Sequence, residues 1–153
     1  MHITLYNYDP EVMSELLSWP FAIFNPYLLF QDHPNYKSCF PKLRHLNDMD
    51  LINTEELRSH TDLFLTNLRV LIYSLDNPNE CFYELERAAI AHEKTNIKRY
   101  HVEAMFPILI ETLCQSGIVD EKTYVTWKKL FDAMNLYQDM IRNGVIQSRS
   151  EKP

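Results

Sequence analysis

Apolar residues recur along the chain at three- and four-residue steps, the spacing of one helix face, in segments cut apart by prolines and polar clusters. Near the start, Asp9 is placed to cap a helix opening with Pro10, and Val12, Met13, Leu16 and Leu17 form its apolar face until Pro20. A second apolar segment, Phe21 to Phe30, contains Pro26, which removes a backbone donor and predicts a kink. His33-Pro34 then opens a short helix carrying Tyr36, Phe40 and Leu43, followed by a polar loop at Asn47-Asp48-Met49-Asp50.

Thr54 followed by Glu55 and Glu56 reads as the start of a long helix. Leu57, His60, Phe64, Leu68, Leu71 and Leu75 lie close to one face of it, so His60 points inward. Asn77-Pro78 breaks that helix, and Cys81, Leu85, Ala88, Ala89 and His92 make the next inward face. Two further helices are predicted, Tyr100 to Cys114 and Glu121 or Lys122 to Ile141, with Gly117 between them as a helix terminus. Trp127, Leu130, Phe131, Met134 and Tyr137 form the last buried face. The expected organisation is one domain: a short N-terminal helix over residues 1–20, a core over 21–146 and a polar, frayed tail over 147–153.

Composition sharpens the fold class. Only two glycines occur, Gly117 and Gly144, so the positive-φ turns of hairpin-rich sheets are nearly absent and an all-α fold is expected. A formal net charge of −6 lacks the basic footprint that nucleic acid requires. Cys39, Cys81 and Cys114 are odd in number and widely spaced, which favours free thiols in a reducing compartment, with Cys81 and Cys114 in or near the core. No basic-then-apolar leader opens the chain, no apolar run reaches membrane-spanning length, and residue 2 is His rather than the Gly of a myristoylation signal. A soluble cytoplasmic protein, without a membrane or nucleic-acid partner, is expected.

The candidate chemistry lies in His60 and His92, inward-facing histidines on two different helices with aromatics nearby. A single histidine on an apolar face is more often a satisfied core residue than a ligand. His101, at the start of a helix, is read as a boundary residue without a site role. Arg58 and Lys98 more commonly belong to a solvated face than to a pairing with the carboxylates of a bound group, and Tyr27 more commonly to the core than to a ligand pocket.

The surrounding residues resemble the globin family at several places in order. The stretch His33-Pro34-Asn35-Tyr36-Lys37-Ser38-Cys39-Phe40 is similar to the globin segment in which a proline opens the third helix and a phenylalanine six positions later packs on the haem. Leu57-Arg58-Ser59-His60-Thr61-Asp62-Leu63-Phe64 resembles the distal-histidine segment, and Leu85 to Ala91 with His92-Glu93-Lys94-Thr95-Asn96-Ile97 the proximal one. The likeness continues through His101, the apolar run Phe106 to Leu113 and Trp127, and covers about Phe30 to Tyr137.

What the resemblance implies is a globin fold, with a short or irregular N-terminal helix, holding one haem b. His92 would be the proximal iron ligand and His60 the distal residue or sixth ligand, with Phe40, Phe64, Ala88, Ile97 and Phe106 as further haem contacts. Haem is an apolar disc that needs an apolar cleft and one strong axial base, and the second ring nitrogen of that base needs an acceptor, here a carbonyl of the preceding turn. The implied function is reversible binding of dioxygen or another diatomic gas for storage, transport or sensing, without enzymatic turnover, by a monomer or homodimer. The alternatives are a bis-histidyl redox or signalling globin and a haem-free globin-like interaction module. At the N-terminal end the chain departs from the family pattern. Pro26 falls where globins carry the large distal residue of the second helix, leaving Tyr27 as a candidate for that place, and Trp19 lies too close to Pro34 to be the usual first-helix tryptophan.

Overall fold

The computed structural model describes residues 26–115, 117 and 121–146; for residues 121–123 it describes the backbone alone. The helix expected over residues 1–20 and the polar tail lie outside the described residues. Among the described residues, six α-helices follow one another: α1 (Tyr27–Asp32), α2 (Asp48–Leu51), α3 (Glu55–Tyr73), α4 (Pro78–Lys94), α5 (Arg99–Gln115) and α6 (Glu121–Arg142). Two 3-10 segments, Pro34–Cys39 and Ser74–Asp76, join them, and no strand occurs among the described residues.

Local chemistry sets most of these boundaries. The Thr54 hydroxyl accepts from the Leu57 N–H at 3.2 Å and caps α3, with Glu55 and Glu56 in the first turn, where acidic side chains suit the helix dipole. Asn77 caps α4 by accepting from the Asn79 N–H at 3.2 Å, and Pro78 occupies the first helical position, where its missing N–H has no cost. The end of α4 is a Schellman turn. Asn96 adopts a left-handed φ of 58°, the Ile97 N–H donates to the His92 carbonyl at 2.8 Å, and the Asn96 N–H donates to the Glu93 carbonyl at 3.1 Å. Gly144, with φ of 69°, ends α6 in the same way: the Val145 N–H donates to the Met140 carbonyl at 2.9 Å and the Gly144 N–H to the Ile141 carbonyl at 3.0 Å.

Pro26 stands at the N-cap of α1 with φ of −67° and the helix runs on from Tyr27; residues 21–25, the other part of the segment expected to kink there, lie outside the described residues. The stretch expected as a polar loop, Asn47 to Asp50, instead supplies the cap and first three residues of α2. Asn47 caps it, Asp48 and Asp50 suit its positive end, and Leu51 is fully buried, which stabilises so short a helix by about 1.5–3 kcal/mol. Pro107 lies inside α5 without ending it and is exposed, so its ring projects away from the packed face.

The core collects Leu57, Leu65, Leu68 and Ile72 of α3, Leu85 and Ala89 of α4, Leu109 and Leu113 of α5, and Trp127 and Leu130 of α6. Helices α4 and α6 form the most extensive pair, with Phe82 and Tyr137 stacked at 5.9 Å between ring centroids. Arg87 ties α4 to α3 by donating to the Asn67 side chain at 3.0 Å. Cys39, Cys81 and Cys114 are all free thiols. Cys81 is buried as expected, whereas Cys114 is exposed: Leu113 takes the inward position, and the next residue turns about 100° away on a helix.

Candidate functional site

Phe40 follows the 3-10 segment in an extended conformation, with φ of −108° and ψ of 95°. Its backbone carbonyl accepts from the N–H groups of Leu43 and Arg44, both at 2.9 Å, so the turn beyond it is pinned. The Phe40 ring meets Phe30 of α1 edge-on, 85° between planes at 5.1 Å, and meets His60 of α3 at 90° and 4.7 Å. The three perpendicular rings form a row from α1 to α3, an arrangement that suits the aromatic quadrupole. Phe30 was not distinguishable from its apolar neighbours by spacing.

His60 is half-buried in the second turn of α3, and His92 is half-buried in the last turn of α4. Burial holds both imidazoles below their ordinary pKa. For His92 it lowers the value to about 4, and positive charge on nearby His60 adds to the penalty. Both rings are therefore neutral near pH 7, each with one nitrogen lone pair and one N–H. The carbonyl acceptor anticipated in the turn before His92 is not engaged by Nδ1, which is buried without a hydrogen-bond partner. An unpaired buried polar atom of this kind costs about 1–3 kcal/mol.

The other residues singled out from the sequence are spread over several elements. Ile97 is buried and tied to the His92 carbonyl through its N–H, and Ala88 is half-buried one turn before His92 on α4. Phe64, one turn beyond His60, is half-buried against the core. Phe106 is buried on α5, where its ring contacts are with Phe131 at 4.9 Å and Tyr124 at 5.6 Å, both on α6. Tyr27 opens α1, half-buried against the core.

His101 does behave as a boundary residue: its Nδ1 accepts from the Lys98 backbone N–H at 2.8 Å at the start of α5. This leaves Nε2 as the protonated nitrogen, 3.5 Å from the Cys39 sulfur. Arg58 is exposed and pairs with Glu55 at 3.2 Å. An open hollow of about 420 Å³ lies between Val70, Tyr73 and Ser74 on one side and Asn79, Glu80, Tyr83 and Glu84 on the other. Neither histidine lines it, so it is a surface feature separate from the imidazole pair.

Fold and site together define an all-α protein in which two neutral imidazoles, carried on separate helices, sit within electrostatic reach of each other beside a row of aromatic rings. Residues 27–137 match the family model of the globins, and the chain belongs to the globin family. A search of curated proteins found none that matches it.

Proposed function

We propose that the chain holds one haem b with His92 as the axial base, and that it binds dioxygen or another diatomic gas reversibly for storage, transport or sensing. The observation that carries this reading is the state of His92: a neutral imidazole, its pKa lowered to about 4, with a buried ring nitrogen that no protein group satisfies. Globins usually bind haem, and these residues fit its demands for one strong base and an apolar, aromatic lining. When bound, the group supplies an iron atom able to coordinate a small gas.

The chain's own residues do the rest. His92 offers a lone pair without first having to lose a proton at neutral pH. Phe40, braced by Phe30, presents an aromatic surface against which a flat macrocycle packs, and with half-buried Phe64 it restricts water around His60. His60, neutral at pH 7, retains one N–H that can donate to a polarised guest in a poorly hydrated pocket. Ile97 and Ala88 supply apolar contacts on the His92 side. No turnover is assigned to the site.

A second reading follows from the electrostatic coupling of the two histidines: His60 would itself take the sixth position, giving a bis-histidyl protein for redox or signalling roles. The test is the absorption spectrum of the haem-supplied protein and of His92→Ala, in ferric, ferrous and carbon monoxide-treated states. A one-to-one haem complex that is lost or strongly altered in His92→Ala is expected. Retention of the unsubstituted spectrum at full occupancy would place the axial ligand elsewhere. No haem uptake at all would leave the haem-free interaction module.

A further inference from the structure

The corner that follows His92 is gripped from two directions. Along its own helix, the His92 carbonyl accepts from the Ile97 N–H at 2.8 Å and from the Thr95 hydroxyl at 3.2 Å. Across the fold, α6 reaches back to the same residues. The Gln138 amide donates to the Ile97 carbonyl, and Arg142 Nη2 donates to that carbonyl at 3.0 Å. Arg142 also donates through Nε and Nη2 to one carboxylate oxygen of Glu93, the residue next to His92, at 3.0 and 2.7 Å. Just beyond the corner, Arg99 pairs with Asp139 at 3.1 Å.

Gln138, Asp139 and Arg142 occupy little more than one turn of α6, so one rigid element holds the chain at Glu93, Ile97 and Arg99, immediately beyond His92. The grip is stronger than a surface ion pair. Gln138 is fully buried, Arg142 makes three charge-assisted or carbonyl-directed hydrogen bonds, and its side chain is only 25% exposed. Helix ends fray because their last carbonyls lack partners, and His92 lies in such a last turn. Without α6, the imidazole would share in that fraying.

We propose that Gln138 and Arg142 are positioning residues for His92: through the Ile97 carbonyl and the Glu93 carboxylate they fix where α4 ends and hence where the imidazole is presented. This deepens the reading of His92 as axial base and rests on it. Groups that hold a ligating imidazole from outside fix its orientation, so a corner anchored to α6 makes the base resist displacement.

Two readouts test this. In the haem-free chain, backbone amide hydrogen exchange at Ile97 and Asn96 reports the corner directly. In the ferrous haem-supplied protein, the iron–histidine stretching band reports the imidazole. Arg142→Met and Gln138→Leu should each raise exchange at Ile97 by roughly tenfold or more while leaving Leu109 in α5 unchanged. Both should shift and broaden the stretching band. Arg142→Lys, which keeps a cation for Glu93 but not the two-sided reach, should fall between. Should Gln138→Leu not fold, the two substitutions at part-exposed Arg142 carry the comparison. Unchanged exchange at Ile97, an equal rise at Leu109, or a band that stays put while exchange rises would each overturn the proposal. An unsubstituted protein that takes up haem without an iron–histidine band would instead overturn the axial role of His92, and Ile97 exchange would still decide whether the corner is held.

Discussion

Acid should destabilise the haem-free chain through His92 in particular. Its imidazole has an ordinary pKa of 6.5 when unfolded and about 4 when folded, chiefly because burial disfavours the charged ring. Because the folded value is the lower one, the unfolded chain binds more protons between these limits. Stability is therefore fully present above pH 6.5, falls as the pH drops through that interval, and has lost this contribution once the pH is below about 4. At about 1.36 kcal/mol for each factor of ten in proton affinity, the loss is about 3 kcal/mol, a sizeable part of the 5–15 kcal/mol typical of whole domains. His60 acts in the same direction, since burial also lowers its pKa.

The perturbation is His92→Leu, which removes the titrating ring and the unpaired Nδ1 while keeping an apolar side chain. Urea unfolding followed by circular dichroism at pH 7, 5.5 and 4 gives the comparison, the carboxylates contributing alike to both proteins. Unsubstituted protein should lose about 3 kcal/mol more than His92→Leu between pH 7 and 4, with the variant equal or superior at pH 4. Parallel stability curves for the two proteins would refute the argument, for the folded imidazole would then be as easily protonated as the unfolded one.

Phe40→Ala should cost about 3 kcal/mol of stability, the low end for a phenylalanine because the side chain is only half-buried, and part of that loss should appear as faster haem transfer to an acceptor protein; an unchanged transfer rate would remove Phe40 from the haem contacts. His60→Leu separates the two distal roles. If His60 donates to bound gas, oxygen release should accelerate by about one to two powers of ten, from a lost hydrogen bond of about 1.5–3 kcal/mol, with carbon monoxide changed much less. If His60 is a sixth ligand, a low-spin ferrous spectrum should turn high-spin; no change in spin state or oxygen release would exclude His60 from the pocket.

Much of this molecule was legible in the one-dimensional pattern because the responsible interactions are local. Thr54 and Asn77-Pro78 announce α3 and α4, since a capping side chain and the N–H it accepts from lie within three residues of each other. The ordered segments around Phe40, His60 and His92 likewise carried the globin resemblance, and residues 27–137 match that family. The short helix at Asp48–Leu51 was less visible, because what holds it is the complete burial of Leu51 under other elements. The helix expected from Tyr100 to Cys114 does run on through Pro107, because packing of Phe106, Leu109 and Leu113 outweighs one missing hydrogen bond.

What only the tertiary structure decided was the company each site residue keeps. Periodicity turned His60 and His92 inward, but the row of rings from Phe30 through Phe40 to His60 depends on how α1 and α3 approach each other. It also left Nδ1 of His92 unpartnered, where a carbonyl of its own helix was the expected acceptor. Gln138 and Arg142 gave no sign of their role, since they bond to residues 41 to 49 positions away. A polar side chain's partner across such a span is chosen by the packing of whole helices, whose free energy is a sum over many buried side chains and not a property of any local stretch.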